Sequence, residues 1–322
     1  MVVRKGNCIT TVDCSMKKKL ISLLIFSLID LTHQASGLNL PAALNLGISN
    51  ILDGGPKVEK PGFDWEQYQL YYHAHTFADA CGNLIGGIES PRINSVAIFT
   101  ELLWQSKFRI FKGAAGGSVV LPPIVFSGVS RNSLGISDAG AGLSNPLLLF
   151  FLQWDMIKRN ERPLFIHRLG VTIILPIGTN KFPKYAASPA DIMTCIDPYW
   201  AASLFFTEKL ALSWRLMYLW CAKNKKTNIQ PGQTFHMNFS AEYEFFNKCW
   251  LALNGYYLQQ LKNSTMCGME IPNSKERIVA AGPGILWDLP RNYQLLAHLY
   301  FEFKAKNRPQ GIKPLLTFIK HF

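Results

Sequence analysis

Two histidines, His73 and His75, stand two residues apart in the stretch EQYQLYYHAH. On an extended chain, residues i and i+2 project from one face, so the pair could share a metal ion if a third ligand stood nearby. The sequence places no third ligand, and a polar pair facing water inside a barrel accounts for both residues. Glu242 and Glu244 raise the matching question for acid–base work, since two carboxylates on one face can divide the roles of acid and base. In an alternating strand they read more simply as charges pointing into water. Ser213 and His236 supply the residue types of a nucleophile and its base, provided that their strands lie side by side.

None of the patterns GxSxG, HExxH or GxxxxGK[ST] occurs, and the glycines of GAAGG (113–117) and GAG (140–142) fit tight turns or close strand approach. The expectation is therefore a chain with no catalytic residue, no bound cofactor and no metal site.

The residues above sit on segments whose periodicity is plain. In TFHMNFSAEYEF (234–245), Phe235, Met237, Phe239, Ala241, Tyr243 and Phe245 alternate with Thr234, His236, Asn238, Ser240, Glu242 and Glu244 without a break. Helical spacing would scatter these side chains around an axis, so the segment is a strand with one apolar and one polar face. In LSWRLMYLW, Leu212, Trp214, Leu216, Tyr218 and Trp220 oppose Ser213 and Arg215. In LLAHLYFEFKAK, Leu295 through Ala305 at odd positions oppose His298, Tyr300, Glu302, Lys304 and Lys306. In the histidine stretch, Tyr68, Leu70, Tyr72 and Ala74 oppose Gln67, Gln69, Tyr71, His73 and His75. Strands of about ten residues, apolar on one side and aromatic near their ends, suit a bilayer outside and water inside. A soluble antiparallel sandwich also alternates; the strand lengths and the Trp and Tyr near strand ends speak against it, together with the N-terminus.

That N-terminus carries Lys17, Lys18 and Lys19, an apolar run from Leu20 to Leu31, and small residues at Ala35, Ser36 and Gly37. This is the layout of an export signal; Met16 is the expected start and cleavage is expected near Gly37. The division is thus an extension and signal peptide over 1–37 and a single β domain over 38–322. No later apolar run reaches the length of about 18 residues that a membrane helix needs. With one strand and turn per roughly 22 to 25 residues, residues 38–322 give an all-β, antiparallel transmembrane barrel of about 12 strands.

The chain is 48% hydrophobic and only 17% charged, with a net charge of +12 and a pI near 9.4. Five cations and two acids precede residue 38, which leaves the mature chain at +9. Its cations are scattered, so no nucleic-acid partner is expected. Cys81, Cys195, Cys221, Cys249 and Cys267 follow the signal, an odd set without metal-ligand spacing that prescribes no disulfide pairing.

Several motifs occur in order: GLNLPA (37–42), GAGLSNP (140–146), LPIGTNKF (175–182), PGQTFHMNF (231–239), GYYLQQL (255–261), GPGILWDL (282–289) and NRPQG (307–311). Together they resemble the bacterial outer-membrane family known as "putative MetA-pathway of phenol degradation". The resemblance implies an outer-membrane barrel and passive passage of small hydrophobic or aromatic solutes. On that reading His73, His75, Arg215, His236, Asn238, Glu242 and Lys304 line the lumen. Alternative readings are a non-conducting barrel with a structural or surface-binding role, and a lipid-modifying enzyme of the outer membrane. The expected partners are outer-membrane lipids, lipopolysaccharide, the solute and the barrel-assembly machinery. The end of the chain points to the last of these. Leu316, Phe318, Lys320 and Phe322 share a strand face, and Phe318 with the terminal Phe322 resembles the signal that barrel-assembly machinery recognises, with Lys320 at a position more often apolar.

Overall fold

A computed structural model describes residues 44–55, 61–85, 91–130, 140–179 and 193–322. The expected signal segment 1–37 lies outside them. The described residues form β1 (Gly62–Phe77), β2 (Arg92–Ile110), β3 (Gly113–Val120), β4 (Ile124–Ser130), β5 (Gly140–Leu143), β6 (Leu147–Gln153), β7 (Ile157–Arg159), β8 (Arg162–Ile174) and β9 (Cys195–Phe205). They continue with β10 (Leu210–Cys221), β11 (Ile229–Gln230), β12 (Thr234–Phe246), β13 (Cys249–Gln260), β14 (Thr265–Met266), β15 (Met269–Glu270), β16 (Arg277–Leu289), β17 (Tyr293–Lys306) and β18 (Pro309–His321).

Twelve of these close into an antiparallel barrel in the order β1, β2, β3, β6, β8, β9, β10, β12, β13, β16, β17 and β18. β18 pairs back to β1 from Asp64↔His321 to Phe77↔Pro309. Closure gives each of these twelve strands a neighbour on both sides, the condition for lying in hydrocarbon, while the short β5 and β7 pair on one side only, with β4 and β8. β3 and β4 both run along β2 and form one stave interrupted at Leu121-Pro122-Pro123. β5 and β6 run beside them, interrupted at Ser144-Asn145-Pro146. Two motifs meet at that interruption. Gly178 N–H donates to Asn145 Oδ1 at 3.0 Å, Thr179 N–H to the Leu143 carbonyl at 2.7 Å and Leu175 N–H to the Pro146 carbonyl at 3.1 Å.

At one end the strands are joined by the short turns 111–112, 160–161, 206–209, 247–248 and 290–292, and β1 begins and β18 ends there. The longer connections, from β1 to β2, β4 to β5, β8 to β9, β10 to β12 and β13 to β16, leave their strands at the other end, where Asn307–Arg308 is a short one. Short turns mark the periplasmic end of an outer-membrane barrel and long loops the outer end. β11 from one outer loop pairs with the β14–β15 hairpin of another in a small separate sheet.

The alternation expected for β10 and β12 is the one observed: Leu212, Tyr218, Trp220, Tyr243 and Phe245 are exposed outward, while Ser213, Arg215, His236, Asn238 and Glu242 are buried inward. A closed barrel with this apolar outer face belongs in a bacterial outer membrane. At the seam, Phe322 N–H donates to the Phe63 carbonyl at 2.9 Å and the two rings lie 5.8 Å apart. Phe318 meets Trp65 edge-on at 6.0 Å. Lys320, on the same face, carries its ammonium to the Arg291 carbonyl and over the Tyr293 ring at 4.2 Å, so a lysine is accommodated by reaching the periplasmic rim.

Three lumen assignments are corrected. On β1 Asp64, Tyr68 and Ala74 are buried while Tyr71 and His75 are exposed, so His73 and His75 face outward, and only past the bulge that follows Ala74 does Phe77, of the same parity as the histidines, turn in. His73 Nδ1 lies 2.7 Å from Asn94 Oδ1, and the His73 and His75 rings stack along the outer wall. The tyrosine-rich face of β1 turns inward because its hydroxyls have polar partners there, described below. Both histidines lie near the outer end of a 16-residue strand, beyond the length that hydrocarbon requires. Lys304 is the third correction. The ladder with β16 shifts register here, Lys304 takes a left-handed φ of 56°, and Ala305 instead of Lys304 turns inward. One bulge residue reverses the parity of everything beyond it. The cysteines also resolve: Cys195 and Cys221, opposite one another on β9 and β10, form a disulfide.

The bulge makes a stability prediction. Lys304→Gly relieves a left-handed side chain and should raise the urea midpoint of the micelle-bound barrel, a gain in unfolding free energy of up to about 1 kcal/mol, whereas Lys304→Val should lower the midpoint, a loss of about 1–2 kcal/mol. Equal midpoints for the two variants would mean that Lys304 holds no left-handed conformation.

Candidate functional site

The lumen is filled by the chain itself. Residues 44–55, which precede β1, run through the interior from the outer half of the barrel toward the periplasmic half. Leu44 and Leu46 pack among Ile174, Leu219, Leu258, Ile278 and the Cys195–Cys221 bridge. Ile51 packs among Ile166, Phe205, Trp250, Leu286 and Leu296 near the periplasmic end. Ile48 lies between them against Tyr68, Phe99, Val120 and Leu315.

The segment is neither helix nor strand, so its backbone groups need partners from the wall. They have them. Gly47 N–H donates to Asn238 Oδ1 at 2.9 Å, Leu52 N–H to Glu242 Oε1 at 3.2 Å and Gly54 N–H to Ser203 Oγ at 2.9 Å. In the other direction, Lys313 Nζ donates to the Leu46 carbonyl at 2.6 Å, Tyr300 OH to the Gly47 carbonyl at 2.8 Å and Asn238 Nδ2 to the Ser49 carbonyl at 2.9 Å. Gln153 Nε2 donates to the Gly54 carbonyl at 3.1 Å. The side chains follow suit: Asn50 Nδ2 meets Tyr300 OH and Asn45 Oδ1 meets Asn238 Nδ2.

One ion pair anchors the middle. Arg215 Nε and Nη2 donate to the two carboxylate oxygens of Asp53 at 2.9 and 2.5 Å, and the side chains are only 6% and 5% exposed. The guanidinium also lies over the Tyr199 ring at 4.4 Å. A two-point pair of this kind fixes direction as well as charge, and removing one partner strands the other in a dry site. Two glycines admit the segment. A Cβ on Gly54 would come within 2.5 Å of the Ser203 N and Ile166 O backbone atoms of the wall. Gly47 has a φ of +74°, and a Cβ there would meet the Tyr256 and Tyr300 rings at 2.8 Å.

Arg215, His236, Asn238 and Glu242 thus face the interior, and three of the four hold the segment directly. His236 instead places Nε2 3.0 Å from Asp197 Oδ1. The pairing imagined between Ser213 and His236 does not form. Ser213 lies opposite Ser240 and His236 opposite Met217, four residues apart along the β10–β12 ladder, or about 13 Å. Ser213 bonds Ser203 and Glu242. Glu242 and Glu244 also part company, Glu244 accepting from Lys248 N–H at the periplasmic turn.

Sequence reasoning missed residues 44–55, and with them Lys313, Tyr300, Ser203 and Gln153. Polar Asn45, Ser49, Asn50 and Asp53 are interleaved there with Leu44, Leu46, Ile48 and Ile51 without a period of two, ahead of the first alternating strand. It also missed the inward tyrosines of β1 and their neighbours. Tyr68 OH bonds Glu66 and lies 3.3 Å from Glu101, which sits directly across the β1–β2 ladder from Glu66. Tyr72 and Tyr256 hydroxyls donate to the two oxygens of Glu302 at 2.8 and 2.5 Å.

One solved structure of an outer-membrane channel shares this architecture. The structure is similar to that of the COG4313 outer membrane channel from Pseudomonas putida F1, with a TM-score of 0.72 at 13% identity, over 82% of this chain and 97% of that one. It is more distantly similar to the translocator domain of the autotransporter NalP from Neisseria meningitidis, with a TM-score of 0.46 at 9% identity, over 97% of this chain and 100% of that one. No curated protein matches the chain. The family described as "Putative MetA-pathway of phenol degradation" matches residues 78–318, from the end of β1 into the closing strand, and the chain belongs to that family.

Proposed function

We propose that the barrel is a passive channel for small hydrophobic or aromatic solutes, closed in this conformation by residues 44–55 and opened when they withdraw. One observation carries the reading: the wall is complete without the segment. Strand pairing alone closes the ring, so 44–55 can leave without exposing a sheet edge to lipid. No covalent bond among the described residues holds it; its links are hydrogen bonds, the Asp53–Arg215 pair and apolar contacts. Once it leaves, Arg215, Asn238, Glu242, Lys313 and Ser203 are freed to meet water, with His236 beside them.

The solute class rests on what else faces inward. Tyr68, Phe99, Phe151, Tyr199, Tyr256 and Tyr300 are buried on the interior side, and flat apolar rings with polar edges suit aromatic guests. The family description, with its mention of phenol degradation, agrees. No energy source and no catalytic step enter this reading; the solute moves down its gradient. Phe318, half-buried on the closing strand, and Phe322, exposed just past its end, serve insertion through the assembly machinery and stand apart from the route.

The filled lumen also favours a second reading, a barrel that never conducts and has a structural role. Planar-bilayer recording separates the two. Deletion of residues 44–55 should convert a mostly closed protein into one with persistent conductance, at least about tenfold above the full chain. Phenol added to that variant should block current in a concentration-dependent way while glucose does not. A deletion variant as silent as the full chain would establish the non-conducting reading.

The ion pair gives a finer prediction. Asp53→Asn leaves the Arg215 charge buried without its counter-charge, a cost of about 3 kcal/mol that withdrawal of the segment relieves. The ratio of open to closed time should therefore rise by about two orders of magnitude, and Asp53→Glu should raise it far less. Unaltered gating in Asp53→Asn would show that the pair does not hold the closed state.

A further inference from the structure

Three cations converge on the outward face of the wall at its outer end: Arg277 at the start of β16, and Lys304 and Lys306 at the end of β17. Arg277 and Lys306 are direct partners in the ladder. Arg277 Nε donates to the Lys304 carbonyl at 3.1 Å, which sets the guanidinium over the bulge. Like charges placed directly opposite destabilise a sheet. The left-handed backbone at Lys304 adds a second cost, and its effect is to turn an ammonium outward that strict alternation would send into the lumen.

The nearby acids are committed elsewhere. Glu276 accepts from Arg308 Nη1 at 2.8 Å. Glu302 accepts from the Tyr72 and Tyr256 hydroxyls and from Gly311 N–H. Asp79, in the adjoining loop, accepts from Cys81 N–H and Asn83 N–H, both at 2.8 Å. One step toward the periplasm, β17 presents Phe301 and Phe303 to lipid, 48% and 40% exposed. The cluster therefore sits where the apolar belt ends on the outer side, at the level of the lipid headgroups.

We propose that Arg277, Lys304 and Lys306 form a binding site for the phosphate groups of lipid A, the membrane anchor of lipopolysaccharide in the outer leaflet. A guanidinium can grip a phosphate by two parallel bonds while the two ammonium groups add charge. A bound dianion offsets the repulsion between Arg277 and Lys306. The site is on the outside of the wall and is independent of what the lumen passes.

The test uses the full chain in micelles, titrated with bisphosphorylated lipid A and with the same lipid after phosphate removal. The triple variant R277Q/K304Q/K306Q should bind intact lipid A on the order of a hundredfold more weakly, at about fivefold per cation. The charge-keeping variant R277K/K304R/K306R should stay near the original affinity. Dephosphorylated lipid should bind the original protein as weakly as intact lipid binds the triple variant. Heat-modifiable migration on a gel verifies that each variant is folded. Equal affinity of the triple variant and the original protein would overturn the site, as would indifference to the phosphates. Inorganic phosphate competing at the same concentrations as lipid A would assign the cluster to soluble phosphate and overturn the lipid assignment.

Discussion

An irregular segment can lie inside a barrel only if its backbone N–H and C=O groups find partners there, because a buried peptide group without a hydrogen bond costs more than packing returns. Residues 44–55 meet this condition through side chains of the wall. Asn238 serves the segment at three points, accepting from Gly47 and donating to Asn45 and Ser49. Lys313 and Tyr300 cover two carbonyls, and Glu242 and Ser203 cover two amides. The inward face of the barrel is accordingly built as the surface that receives this peptide, with Arg215 supplying the charge that Asp53 requires.

The same requirement explains why the interior is layered. Apolar clusters around Leu44 and Leu46 at one level and Ile51 at another close the ends of the segment, and the polar side chains stand between them. Dry ends strengthen the electrostatics of the middle, since charges shielded from water interact over a lower dielectric. The closed state thus depends on both layers together: wetting the ends weakens the ion pair, and losing the ion pair frees the ends.

Much of the wall was legible in the sequence. β10 throughout, β12 as far as Tyr243 and β18 as far as Phe318 alternate, and their inward and outward residues follow directly from parity. Parity misled in two places for definable reasons. On β17 a single left-handed residue at Lys304 inserts an extra position, which no pattern of apolar residues announces. On β1 the face richer in polar residues is the outer one, and Tyr68 and Tyr72 turn inward because Glu66, Glu101 and Glu302 await their hydroxyls. His73 and His75 tolerate an outward position because they stand near the outer end of the strand, beyond the hydrocarbon, and Gln67 at mid-strand is satisfied by the Phe99 carbonyl and the Thr100 hydroxyl. The segment 44–55 was not legible because its conformation is set by tertiary partners 99 to 267 residues away in the chain, from Gln153 (99 residues from Gly54) to Lys313 (267 from Leu46), and local periodicity carries no trace of them. The disulfide escaped for a related reason: an odd number of cysteines without spacing rules leaves the β9–β10 register to decide the pairing.

The central claim is that residues 44–55 are held inside the barrel by these hydrogen bonds. Amide hydrogen exchange on the folded full chain in lipid bilayers tests it most directly, since exchange requires the bond to open. The amides of Gly47, Leu52 and Gly54 should exchange at least about a hundredfold more slowly than in an unstructured peptide, and Asp53→Asn should speed all three together. Exchange of the three amides at the unstructured rate in the folded barrel would contradict the account.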